Sequence, residues 1–162
     1  MKKSLIIILV LAYLPCNAQL KGFSLGPYAE LAWPTGDFGK TNKNGLGAGL
    51  GADIGFGKLK LTGSVGFIHF GGKTINTEGG TVDMPSINAI PIRAGFKYRF
   101  VPLFYAKLEG GVARYTDGGN SAFILSPGIG IRLLGWDVLA KYETWMKDGS
   151  NSFWGLKAGY NF

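Results

Sequence analysis

From residue 23 onward the chain alternates between apolar and small or polar positions. Over 23–33, Phe23, Leu25, Pro27, Ala29, Leu31 and Trp33 share one phase, and Ser24, Gly26, Tyr28 and Glu30 share the other. Successive side chains on a strand point to opposite faces, so a period of two predicts a strand with one apolar face. The next stretch is the most regular. Leu46, Ala48, Leu50, Ala52, Ile54 and Phe56 alternate with Gly47, Gly49, Gly51, Asp53, Gly55 and Gly57, and Gly57-Lys58 reads as a two-residue hairpin turn. A third strand over 59–70 sets Leu61, Val65 and Phe67 against Lys60, Thr62 and Ser64. Ile68 and Phe70 fall out of phase there, which a β-bulge would explain.

Five more strands follow. Over 89–100, Ile90, Ile92, Ala94, Phe96, Tyr98 and Phe100 oppose Pro91, Arg93, Gly95, Lys97 and Arg99. Over 104–115, Phe104, Ala106, Leu108 and Val112 oppose Tyr105, Lys107, Glu109 and Tyr115. Phe123, Leu125, Pro127, Ile129, Ile131 and Leu133 form the apolar phase of the sixth, and Leu134-Gly135 turns the chain. In the seventh, Trp136, Val138, Ala140 and Tyr142 oppose Asp137, Lys141 and Glu143; 145–151 reads as a loop. The eighth, 152–162, carries Trp154, Leu156, Ala158, Tyr160 and Phe162 on its apolar face. Pro27, Pro91 and Pro127 each remove a ladder donor inside a strand, so local bulges are expected at all three.

The facing follows from the glycines. A water-exposed sheet face of bare Gly is implausible, so the bulky apolar phase faces outward and the Gly and charged phase inward. That is the polarity of a barrel in lipid. Longer connections (34–44, 71–85, 116–121, 145–151) alternate with short turns, as in barrels with long extracellular loops and short periplasmic turns. The expected fold is all-β: an eight-stranded antiparallel up-and-down transmembrane β-barrel. Outward aromatics fall at two levels, Phe23, Tyr98, Phe100, Phe104, Trp136, Tyr160 and Phe162 towards the periplasm and Trp33, Phe123, Tyr142 and Trp154 towards the exterior, forming interfacial girdles.

Residues 1–18 read as a secretory signal. Lys2 and Lys3 precede an apolar run from Leu5 to Leu14, and Cys16 and Ala18 supply small residues before a cut near Ala18. The expected mature domain is 19–162, in the cell outer membrane. Pro15 argues against a lipoprotein cut at Cys16, the single cysteine; without Cys16 the mature chain holds no disulfide. Of the formal net charge of +7, two units are Lys2 and Lys3, and the remaining cations are scattered singly along strands. No clustered basic face suits nucleic acid.

Charges of both signs fall on the inward phase: Glu30, Asp53, Glu109, Asp137 and Glu143 with Lys60, Arg93, Lys97, Lys107, Arg132, Lys141 and Lys157. Eight strands enclose only enough room for side chains, and buried charges need partners. These residues are therefore expected to fill the lumen as a charge network rather than line an ion path. Hairpin registers suggest Arg132 opposite Asp137, Glu109 diagonal to Arg93 and Lys97, and Asp53 diagonal to Lys60. A narrow pore is the alternative. Catalysis has little support, because His69 stands alone with no Ser two residues beyond it. No spacing suggests a metal or cofactor site.

Ile90-Pro91-Ile92-Arg93-Ala94-Gly95-Phe96-Lys97-Tyr98, Leu108-Glu109-Gly110-Gly111-Val112, Ser126-Pro127-Gly128-Ile129-Gly130, Gly159-Tyr160-Asn161-Phe162 and Pro34-Thr35-Gly36-Asp37-Phe38 resemble the small outer-membrane β-barrel domain family of Gram-negative bacteria, the OmpA-like eight-stranded barrels. The resemblance spans the mature chain and implies architecture more than activity. It implies that the last strand, with Trp154, Leu156, Ala158, Tyr160 and Phe162, is the signal read by the barrel-assembly machinery. With no periplasmic domain after Phe162, it does not imply peptidoglycan anchoring. The expected role is that of a non-enzymatic envelope barrel; a lipid-modifying enzyme is the least favoured alternative. Outer-membrane lipid is one partner. Loop 71–85, with Ile75, Val82 and Met84, is the candidate contact for an extracellular protein or lipopolysaccharide, through strand extensions above the membrane.

Overall fold

A computed structural model describes residues 22–77, 80–147 and 149–162. The expected signal, 1–18, lies outside the described residues. The chain forms β1 (Phe23–Thr35), α1 (Gly36–Thr41), β2 (Asn42–Ile54), β3 (Leu59–Gly72), β4 (Thr74–Thr77), β5 (Gly80–Asp83), β6 (Ile87–Arg99), β7 (Phe104–Tyr115), β8 (Ser121–Leu133), β9 (Trp136–Met146) and β10 (Ser150–Tyr160). Eight of the strands close into an antiparallel barrel in the order β1-β10-β9-β8-β7-β6-β3-β2, while β4 and β5 pair as a separate hairpin. Closure joins the first strand to the last, from Tyr28 opposite Gly159 to Thr35 opposite Ser152. Beyond β10, the Phe162 N–H donates to the Leu25 carbonyl at 2.9 Å and the Asn161 N–H to the Gly135 carbonyl at 2.8 Å.

Several local expectations need correction. The bulge expected in β3 is absent: Val65 opposite Ile92 and Ile68 opposite Ala89 belong to one uninterrupted register with β6. Ile68 and Phe70 face inward because the bore is apolar at that height. The register shift falls instead on the β2–β3 pairing, between Asn42 and Gly45. The three prolines produce no bulge. Pro27 pairs in register with Leu50, Pro91 with Ala113 and Pro127 with Leu108. On the opposite side of each the ladder is interrupted, and for Pro91 and Pro127 it then resumes in the same register. A residue in an antiparallel strand directs its N–H and C=O to the same neighbour, so a proline costs one ladder and spares the other.

The connections also differ from the reading. Pro34 and Thr35 belong to β1, and 36–41 is a short helix rather than irregular loop. Trp145 is buried inside β9, so the last connection shrinks to residues 147–149. Loop 71–85 does carry strands, as expected of it: the β4–β5 hairpin sets Thr74 opposite Asp83 and Thr77 opposite Gly80. The β2–β3 register centres on Gly57-Lys58, but its ladder ends at Ile54 opposite Leu61, leaving six residues, 55–60, between the paired ends, with Gly55 and Gly57 at positive φ. Leu134 (φ 52°) and Gly135 (φ 86°) form the tight turn between β8 and β9, with both central residues in the left-handed region as a type I′ hairpin requires.

The outer surface is an apolar band. Leu46, Leu50, Phe67, Phe96, Leu108, Ile129 and Leu156 are all exposed, which in water would be an aggregating patch and in lipid is a solvated one. Aromatic pairs sit at the rims of this band: Trp136 with Tyr160 and Tyr160 with Phe162 on the side of the short turns, and Tyr142 with Trp154 higher up.

Candidate functional site: the lumen

The inner face of β2 is glycine-lined because large side chains from other strands lie against it. A Cβ at Gly45 would come 2.5 Å from the Phe70 ring, one at Gly47 would sit 3.2 Å from Ile68, and one at Gly49 would sit 2.6 Å from the Tyr28 hydroxyl. At Gly66 a Cβ would collide with the same hydroxyl. The glycine phase of β2 is thus a row of sockets for side chains of other strands.

Towards the extracellular mouth the filling is aromatic. Phe38, carried inward by α1, meets Phe70 edge-on with ring centroids 5.0 Å apart. Phe70 in turn meets Phe153 at 5.3 Å and Trp145 at 5.9 Å, and Tyr115 closes on Trp145 at 5.9 Å. Ala32, Ile68, Ala89, Ala113, Ala122 and Ile124 complete this buried layer. At the surface of α1, Lys40 donates to Asp37 at 2.7 Å, and that hydrogen bond and charge hold the Asp37 carboxyl below the ordinary carboxylate range.

Directly beneath lies a cluster of two acids and two bases. Glu143, with no exposed surface, accepts from Arg93 Nη2 at 2.7 Å, Lys141 Nζ at 2.6 Å and Trp145 Nε1 at 2.6 Å. Glu30 lies 2.7 Å from Lys141 Nζ and 3.4 Å from Arg93 Nη2. The Trp145 indole therefore has its ring in the aromatic layer and its N–H on the ion cluster. Arg93 offers only Nη2 to its acids; Nε and Nη1 are buried without a protein partner.

A second cluster lies nearer the periplasmic end. Lys97 bridges Asp53 at 3.0 Å and Asp137 at 2.5 Å, and Arg132 reaches Asp53 and Ser24 at 3.4 and 3.3 Å. The Tyr105 hydroxyl donates to Asp137, and Lys97 lies over the Tyr105 ring, 4.0 Å from its centroid. Lys107 sits 3.0 Å from Glu109 on the same strand, and Lys157 rests on the face of Tyr28 at 3.5 Å. Lys60 is half-buried near the rim. The free space bordered by Tyr28, Asp53, Lys97 and Lys157 is about 30 Å³, room for a water molecule or so.

All twelve charged residues singled out from the sequence lie on the inner face. The pairings are different from those that hairpin registers suggested. Arg132 is opposite Asp137, but its carboxylate partner is Asp53, four strands away around the barrel. Arg93 and Lys97 engage acids of β1, β2 and β9 rather than Glu109, and Asp53 takes Lys97 and Arg132 rather than Lys60. In so narrow a bore, the opposite wall is closer to the tip of a long side chain than the diagonal neighbour is. Sequence reasoning missed Phe38 and Trp145 as lumen residues; the inward phase of Ile68, Phe70 and Phe153 was the signal that this level is apolar. Trp154, Leu156, Ala158, Tyr160 and Phe162 point outward along the last strand and its end. His69 also points outward, its Nδ1 2.6 Å from Asn88 Oδ1 near the extracellular rim.

No family model and no curated protein matches the sequence. Solved structures do match. A de novo designed transmembrane β-barrel superposes with a TM-score of 0.56 at 16% identity, over 89% of this chain and 98% of that chain. Ail, the attachment invasion locus protein of Yersinia pestis, solved with the heparin analogue sucrose octasulfate, gives 0.52 at 18% identity, over 87% and 97%. Neisserial surface protein A gives 0.52 at 17% identity, over 87% and 96%. What this chain shares with them is the fold, the closed eight-stranded antiparallel barrel of outer-membrane proteins.

Proposed function

We propose that this protein is a non-enzymatic integral barrel of the outer membrane, with a sealed lumen and its interactions at the extracellular side. The observation that supports the reading is the filling of the bore, where a buried aromatic layer stacks on paired charges. A sealed barrel acts through its surfaces. The lipid belt seats it in the membrane, the outward face of β10 with Phe162 serves recognition by the assembly machinery, and the long loops meet partners. Among those loops the β4–β5 hairpin is the favoured contact. It rises from β3 and β6 as a separate two-stranded sheet, and an unpaired strand edge can recruit an extended segment of another protein. Lipopolysaccharide is the other candidate ligand of loop 71–85. Planar-bilayer recording of the refolded protein tests the reading. No steady single-channel steps are expected from the wild type, while Phe38→Ala combined with Phe70→Ala should admit small, irregular currents. Regular unitary conductance from the wild type would make it a narrow pore instead.

A further inference from the structure

At the periplasmic rim, the turns 55–58 and 100–103 border a second cavity of about 120 Å³. Five cationic side chains line it, Lys58, Lys60, Lys97, Arg99 and Arg132, and no carboxylate does. Lys97 and Arg132 are committed to Asp53 and Asp137 deeper in the bore. The other three have no acid within 4.0 Å among the described residues. Arg99 donates from Nη2 only to the Gly57 carbonyl, at 3.0 Å, which orients the guanidinium and leaves its other donors free. Holding like charges around one small space is unfavourable unless an anion joins them, and the field they sum to attracts one. Elsewhere in the bore each cluster of cations is interleaved with acids, so this rim stands apart.

We propose that this rim cavity binds a tetrahedral oxyanion of the phosphate class, held by Lys58, Lys60 and Arg99. A guanidinium presents a planar fork that matches two oxygens of such an anion, while lysine ammonium groups add point charges from the side. The Tyr105 wall and the two committed cations close the inner end. Phe100 and Phe104, chain neighbours of the lining residues Arg99, Leu103 and Tyr105, are exposed and stack with centroids 6.5 Å apart at the same rim. Outward aromatics mark the headgroup level of a membrane, so phosphodiesters of the adjoining leaflet lie within reach. Free phosphate offers the same chemistry.

The test is calorimetric titration of the folded barrel in an uncharged detergent, first with inorganic phosphate and then with a short-chain phosphatidylglycerol. Saturable binding of at least one is expected, weakened about tenfold by Lys60→Gln or Arg99→Gln, the loss of one charge-assisted contact. Lys43→Gln, on the extracellular side, should leave it unchanged. Binding of phosphate alone identifies the free anion as the ligand. Binding of the lipid, with displacement by phosphate, identifies the headgroup. Lys58 lies in a turn and is exposed, so Lys58→Gln keeps the test available if the strand variants fail to fold, as read by heat-dependent mobility on a gel. Absence of binding by both anions, or binding equally strong in every rim variant, overturns the proposal.

Discussion

Near the extracellular mouth the bore is filled by Phe38, Phe70, Trp145 and Phe153; below it the same bore is filled by Glu30, Arg93, Lys141 and Glu143. The wall is one continuous barrel, yet the two fillings obey different rules. Aromatic rings need only shape and close edge-to-face approach, and a misfit leaves a cavity whose cost is graded. Buried charges need every partner present, because a lone ion in that environment costs far more than the pair returns. The aromatic layer therefore tolerates variation, while the ion cluster behaves as a unit. Trp145 joins the two, with its ring in one level and its N–H on Glu143 in the other.

The largest effect should come from breaking the unit. Arg93→Met leaves Glu143 and Glu30 facing Lys141 alone, and removal of one member of a buried pair costs about 3–5 kcal/mol. Equilibrium urea unfolding in lipid vesicles measures it. Adding Glu143→Gln restores the balance of charge, so the double variant should lose less than the sum of the two single changes. Strict additivity would mean that the four residues do not act together.

How much of this was legible beforehand differs between the two levels. The ion network announced itself, because charged residues on the inward phase of amphipathic strands have only a lumen to enter. Its partners did not, since Arg93 reaching Glu30 and Glu143 depends on closure and bore width, which bring β1, β6 and β9 together across a space that no hairpin register describes. The aromatic layer was nearly invisible. Apolar residues on the inward phase look like phase errors, as Ile68 and Phe70 did, and Trp145 and Phe38 sat in stretches that read as loops. Glycines such as Gly45 and Gly49 marked the complementary sockets without naming what fills them.

A smaller change isolates the joint between the levels. Trp145→Phe keeps an aromatic ring in the upper layer and deletes the donor to Glu143. Loss of a hydrogen bond to a charged group costs about 1.5–3 kcal/mol, so this variant should fall between Arg93→Met and wild type in the same unfolding measurement. The sharper readout is the cycle with Arg93→Met. Coupling is expected, because both donors act on one carboxylate oxygen, Glu143 Oε1. Independent effects would place Trp145 wholly in the aromatic layer.

The smallest effect belongs to an ion pair of the same chemistry placed in water. Lys40 and Asp37 lie on the surface of α1, 2.7 Å apart, with both side chains almost fully exposed. Solvent and salt screen such a pair, so its contribution is small and falls further at high ionic strength. The Asp37 carboxyl titrates below its ordinary range because Lys40 bonds and charges against it. The sign follows: the pair's contribution is present above the unfolded carboxylate's pKa and is lost as pH falls through the depressed one. Asp37→Asn should thus leave the urea midpoint of the barrel unchanged at neutral pH. The change should show only locally, as faster amide exchange at Thr41 and Asn42, where the helix ends and the Asn42 N–H bonds the Phe38 carbonyl. A drop in the global midpoint comparable to that of Trp145→Phe would mean that α1, through Phe38, holds the whole aromatic layer in place rather than merely capping it.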